Sequence, residues 1–176
     1  MAVANGTIAA DFIHRLGDGF STGGLNEVMG VTAAADVING DVGSDLIFGD
    51  AGNATINGID GSDTLVGVQG VDRLLGEVGN DVFRILQTSD ISGLAETVNS
   101  GNDFETLDFP TIGATGPVGL SFATNLDVEQ LLPVGNDISM TSAQLGNFLS
   151  ISGTFLAERL ILTDGGLVDL TGASLA

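Results

Sequence analysis

The amino-acid sequence predicts an all-β chain wound as a β-solenoid, and three observations carry that expectation. Five consecutive nine-residue blocks over residues 40–84 share one frame: GDVGSDLIF, GDAGNATIN, GIDGSDTLV, GVQGVDRLL and GEVGNDVFR. Each block has one large apolar residue at its eighth position, which makes no core unless blocks stack into a continuous column. Beyond Arg84, short strand-like runs continue at wider spacing between turn signals.

Each block divides into a six-residue turn and a short strand. Because a strand alternates its side chains between two faces, the eighth-position residues Ile47, Ile56, Leu65, Leu74 and Phe83 point inward. Glycine occupies position one (Gly40, Gly49, Gly58, Gly67, Gly76) and position four (Gly43, Gly52, Gly61, Gly70, Gly79), where a tight turn needs positive φ. Position six is aspartate in Asp45, Asp63, Asp72 and Asp81, with Ala54 the exception; Asp36 begins what reads as the tail of one more block.

If two blocks make one coil, block n lies over block n+2 and equal positions repeat at about 4.8 Å. Stacked carboxylates at that distance repel by about 1 kcal/mol in water and roughly 3 to 4 kcal/mol at an effective dielectric of 20. A bridging cation removes the repulsion. Carboxylates together with the carbonyls of glycine-rich turns form a hard oxygen donor set, which suits Ca²⁺ better than Mg²⁺ with its strict octahedron or Zn²⁺ with its preference for nitrogen and sulfur. The candidate ligands are Asp45, Asp63 and Asp81 with the turns of Gly40, Gly43, Gly58, Gly61, Gly76 and Gly79, and then Asp36 and Asp72.

These blocks resemble the nonapeptide repeat of the RTX (hemolysin-type) calcium-binding proteins, G-G-x-G-x-D-x-U-x. The resemblance covers residues 40–84 specifically and implies a parallel β-roll with calcium between stacked turns. The D-F-I-H-R-x-G-D-G stretch at residues 11–19 is similar, less specifically, to the lead-in of such repeats. The resemblance also implies export by type I secretion through an uncleaved C-terminal signal, for which the apolar, acidic ending at residues 167–176 is compatible.

Two departures from the family pattern matter. Its second glycine is replaced in every block, by Asp41, Asp50, Ile59, Val68 and Glu77; if the position keeps positive φ, the β-branched Ile59 and Val68 are strained there. The edges also differ. One collects Asp45, Asp63 and Asp81, enough for two interleaved calcium sites, while the other collects Asp36, Ala54 and Asp72 and lacks a ligand in its middle. Calcium on the second edge is expected to be weak or missing. A degenerate repeat that keeps its glycine turns for shape and binds little metal is the alternative.

The chain has 176 residues, 27 of them glycine, and neither cysteine, tryptophan nor tyrosine. A formal net charge of −19 argues against nucleic acid and anionic membrane as partners. No apolar run approaches the roughly 18 residues of a membrane span, and residues after Met1 lack a basic start and an apolar stretch of the signal-peptide kind. Without cysteine the redox compartment cannot be read.

The division expected is a lead-in or cap over residues 1–35, the nonapeptide β-roll over 36–84, and a β-rich continuation over 85–176. In the last, strand-like runs fall at 105–109, 118–122, 128–132, 137–140, 148–152, 159–163 and 167–171. They suit further solenoid coils or a small sandwich, and the absence of a linker favours the solenoid. Residues 141–148 read as a brief helical turn, with Thr141 and Gln144 at capping-box spacing. Asp103, Asp108 and Asp164 could add ligands, but turn or strand-edge roles suit them better.

No enzyme is expected. His14, the sole histidine, lies among apolar residues that suit packing against the first coil, no phosphate-loop motif is present, and a carbohydrate groove lacks its tryptophan and tyrosine walls. Two readings stand. One is a secreted or cell-surface structural protein that folds on Ca²⁺ and self-associates into a layer, matrix or filament through strand pairing at its ends, with only residues 172–176 and 1–31 to cap them. The other is a calcium-dependent secretion and folding module of a larger enzyme, toxin or adhesin. In both, a metal-free chain with repelling carboxylates and many glycines is largely disordered.

Overall fold

The structure, a computed structural model, describes residues 2–7, 9, 11–14, 26–29, 32–86, 97–99, 103–109, 118–119, 128–132, 138–145, 150–151, 160–165 and 174–175. The described residues form an all-β molecule. The first strands are β1 (Val3–Asn5), β2 (Asp11–His14) and β3 (Asn26–Met29). The repeat supplies β4 (Val37–Val42), β5 (Leu46–Phe48), β6 (Thr55–Asp60), β7 (Thr64–Val66), β8 (Arg73–Val78) and β9 (Val82–Arg84). Beyond it come β10 (Thr97–Asn99), β11 (Thr106–Asp108), β12 (Val118–Gly119), β13 (Gln130–Leu132), β14 (Ile138–Met140), the single helical turn α1 (Ser142–Leu145), β15 (Ser150–Ile151), β16 (Leu160–Leu162) and β17 (Ser174–Leu175).

Every strand pair among the described residues is parallel. Parallel neighbours cannot be joined by a two-residue hairpin, so the chain must travel away and return between them. Here it does so by alternating sheets. The order β1-β4-β6-β8-β10 makes one sheet, β17-β15-β13-β11-β9-β7-β5-β2-β3 a second, and β12-β14-β16 a third. Within the repeat, Ile38 pairs with Ile56 and Ile56 with Leu74, while Ile47 pairs with Leu65 and Leu65 with Phe83. Block n therefore lies beside block n+2, as the shared frame requires.

That register aligns the eighth-position residues. Ile47, Ile56, Leu65, Leu74 and Phe83 are fully buried in one core, which continues through Leu107, Leu131 and Ile151 toward the C-terminus and through Ile13 and Ala4 toward the N-terminus. Each large side chain buried in this way contributes roughly 1.5 to 3 kcal/mol. A one-residue slip would turn the whole column outward. Phe48 and Val66 form a smaller cluster with the partly buried Leu46, Val68 and Leu86.

After Arg84 the strands still pair in parallel, unlike the antiparallel strands of a sandwich. Six of the expected runs contain observed strands; the run at 167–171 lies outside the described residues, as do residues 15–19 of the lead-in stretch and most of the proposed secretion signal. The helical turn falls where it was expected, but its first amide and the Ser142 hydroxyl donate to Asp164, 22 residues away. Thr97–Asn99 is a strand that none of the expected runs covers. At the ends, Ser174–Leu175 pairs with Ser150–Ile151, and the segment before residue 32 contributes three strands. His14 ends β2, whose Ile13 is buried.

Candidate metal centre

On the first edge the sixth-position acids form a column. Asp45, Asp63 and Asp81 are at most 3% exposed. The Asp45 N–H donates to Asp63 Oδ1 at 2.8 Å, and the Asp63 N–H donates to Asp81 Oδ1 at 2.8 Å. Beside these bonds the backbone ladder continues, with the N–H of Thr64 donating to the carbonyl of Asp45 and that of Val82 to the carbonyl of Asp63. One carboxylate oxygen of each link is thus occupied. The other, Oδ2 of Asp63 and of Asp81, is buried without a hydrogen-bond partner.

Where that second oxygen goes explains the first glycine of each block. A Cβ on Gly40 would lie 2.6 Å from both Asp45 Oδ2 and the Gly58 carbonyl oxygen. On Gly58 it would meet Asp63 Oδ2 and the Gly76 carbonyl, and on Gly76 it would meet Asp81 Oδ2. The absent side chain leaves room for carboxylate and carbonyl oxygens to gather. The fourth glycines do a different job: a Cβ on Gly61 would overlap the Gly43 carbonyl, and one on Gly79 the Gly61 carbonyl, so the turns stack backbone on backbone. Gly43, Gly61 and Gly79 have φ of 143°, 141° and 124°.

The second edge is interrupted. The Ala54 N–H donates to Asp72 Oδ1 at 2.8 Å, and Asp72 Oδ2 is again buried without a partner, against Gly67. Ala54 offers nothing to the amide of Asp36. Asp36 itself is placed differently from the other candidates, because both its oxygens are engaged: Oδ1 by the Ala2 N–H, and Oδ2 by the N–H and hydroxyl of Thr32. It fastens the N-terminal segment to the first block.

The position that lost the second glycine keeps its backbone shape. Asp41, Asp50, Ile59, Val68 and Glu77 all have positive φ, from 64° to 87°. For an L-residue this region costs roughly 1 to 2 kcal/mol, and a β-branched side chain is an outlier there. The turn is therefore imposed by stacking and opposed by the side chains of Ile59 and Val68.

Of the acids singled out beyond the repeat, none joins the column. Asp103 Oδ2 accepts the Gly79 N–H at 2.9 Å, Asp108 pairs with Arg84 Nε at 2.8 Å, and Asp164 caps α1. The residues that do join it are Glu105 and Glu129. Val82 pairs with Thr106 and Thr106 with Gln130, which places Asp81, Glu105 and Glu129 one above another. No nine-residue frame points to them. The signal lay in spacing alone, since glutamate immediately precedes T-L and Q-L-L at an interval of 24 residues.

Burial shapes the electrostatics. It pushes Asp63 up to about 6 against the hydrogen bond from Asp45, with the charges of Asp81 and Asp60 adding to the rise. Asp81 is likewise raised to about 6, by burial and the Asp103 charge, and burial raises Asp72. Burial acts in the same sense on Asp36, but the amides of Ala2 and Thr32 and the Thr32 hydroxyl overcome it and hold that carboxyl below its ordinary value. Because Asp63 and Asp81 bind protons more tightly folded than unfolded, their contribution to metal-free stability is full below about pH 4 and is lost as pH rises through about 6. In chelator the chain is expected to gain sheet signal in circular dichroism between pH 7 and pH 5. A loss over that interval would contradict the placement of these carboxylates.

Among the described residues no three acidic or histidine side chains converge as a metal cage. A cation here would draw on backbone carbonyls as well. The buried, unpartnered oxygens of Asp63 and Asp81, beside glycines whose missing Cβ leaves space, fit a hard oxygen-loving cation. No family model, curated protein or solved structure matches this chain.

Proposed function

We propose that this chain is a secreted calcium-binding structural protein of the RTX kind, a parallel β-roll that folds when Ca²⁺ binds between the stacked turns of its first edge. The observation that carries this reading is the unbroken Asp45, Asp63, Asp81 column, in which Oδ2 of Asp63 and of Asp81 is buried without a hydrogen-bond partner. Asp45, Asp63 and Asp81, with the carbonyls of the glycine turns at 40–43, 58–61 and 76–79, would hold the ions. Calcium supplies the positive charge that stacked carboxylates lack. Asp72 would give a weaker site, since Ala54 faces it in the column, and Asp36 is already satisfied.

The sequence of events follows from mass action. Where calcium is scarce, buried charges and positive-φ turns oppose folding; where it is plentiful, binding to the folded state adds about 2.7 kcal/mol at one hundred times the dissociation constant. Export unfolded and folding outside the cell is consistent with that dependence. The role is non-enzymatic.

Light scattering through a calcium titration tests the reading. For this length the scaling laws give a radius of gyration of roughly 45 Å unfolded and about 16 Å compact. Contraction followed by growth into assemblies is expected. Contraction alone would leave a calcium-folded module of a larger protein, and no change at millimolar calcium would overturn the reading.

A further inference from the structure

We infer that Glu105 and Glu129 form a divalent-cation site of their own, one step beyond the nonapeptide repeats and independent of their frame. The column supplies the first reason. The backbone ladder that links Asp45 to Asp63 and Asp81 runs on unchanged, with the N–H of Thr106 donating to the carbonyl of Asp81 and that of Gln130 to the carbonyl of Glu105. The side-chain link repeats as well: the Glu105 N–H donates to Glu129 Oε2 at 2.9 Å, as the Asp63 N–H does to Asp81 Oδ1. Glutamate replaces aspartate at the point where the offset between paired strands grows from 18 to 24 residues.

An independent observation points to a ligand. Glu105 is 1% exposed, and its Oε1 is buried without a hydrogen-bond partner. Burial raises its affinity for a proton, and contact with the Glu129 carboxylate and the charges of Asp81 and Asp103 raise it further. Two adjacent carboxylates in such surroundings do not both stay ionised unless something positive lies with them. The Arg84 guanidinium is engaged with Asp108, and Arg159 lies outside the described residues.

The candidates are therefore a shared proton or a cation. Stacking favours the cation, because a proton on this pair leaves Asp81 charged directly beside it in the column, whereas Ca²⁺ is neutralised by the two glutamates and tolerates a shell completed by water. The inference rests on the calcium reading of the chain, but it concerns residues outside the repeat.

Equilibrium dialysis against calcium at pH 7.5, counting ions bound per chain, separates the two. E105Q is expected to bind one ion fewer than the unaltered chain while retaining the sites that D63N loses, and in chelator it is expected to be the more resistant to urea. Should E105Q fail to fold, E129Q, which alters a less buried partner, provides the same count. A count unchanged in the folded variants, alongside a loss in D63N, would overturn the site and leave a proton-sharing pair. No bound calcium in the unaltered chain would defeat the calcium reading itself, and this site with it.

Discussion

Asp63→Asn is expected to raise the calcium concentration needed for folding by roughly tenfold or more, and at the same time to stabilise the metal-free chain. The two effects have one origin. Asp63 is the middle acid of the first edge, so each of the two proposed sites uses it, and a loss of about 1.4 kcal/mol at a site is already a factor of ten. Without metal, the same carboxylate is a buried charge. Its rise from 3.8 to about 6 corresponds to about 3 kcal/mol against the ionised form at neutral pH. The amide keeps an oxygen for the Asp45 N–H and puts a neutral donor where Oδ2 has no partner. Calcium titration by circular dichroism, paired with urea melts in chelator, measures both. Asp72→Asn is expected to shift the midpoint less, because Ala54 leaves that edge interrupted. Equal shifts for the two variants would dispose of the asymmetric-edge arrangement.

Gly61→Ala is expected to abolish the stacked fold, or to cost more than about 4 kcal/mol, a range that single substitutions reach only through a definite steric or electrostatic fault. The fault is backbone against backbone. Gly61 has φ 141°, and an added Cβ would overlap the Gly43 carbonyl of the neighbouring turn. No side chain can move aside, and moving the strands would break the pairing of Asp41 with Ile59 and of Val42 with Asp60. Two residues earlier the sign reverses. Ile59 already sits at φ 87°, so Ile59→Gly removes strain of roughly 1 to 2 kcal/mol and returns about 0.5 to 1 kcal/mol in backbone entropy. A net gain of about 0.5 to 1 kcal/mol is expected in urea melts with calcium held constant. Tolerance of Gly61→Ala in the same assay would show that the turns do not stack as closely as described.

Much of the repeat was legible because its information is local and periodic. Glycines at alternating intervals of three and six residues and one large apolar residue at the eighth position of every nine permit a single arrangement of inward and outward faces, and Ile47, Leu65 and Phe83 occupy it. The positive φ at Ile59 and Val68 was legible only as a condition, since propensity argues against it and stacking enforces it. Asp36 looked like one more member of the column. Its attachment to Ala2 and Thr32 depends on where the N-terminal segment returns, which no local pattern encodes. The strand at Ser174–Leu175 had no local signal, because it depends on the pairing partner Ser150–Ile151.

By itself, the sequence determined the parallel register over residues 36–84, the buried column at the eighth position and the spaced acids of the first edge, because strict periodicity converts chain position into place in the stack. Only the tertiary structure decided which acids outside the frame share that column. Once the offset lengthens to 24 residues and varies thereafter, strand pairing across the sheet, and not distance along the chain, sets Glu105 and Glu129 above Asp81 while sending Asp108 to Arg84 and Asp164 to the start of the helical turn.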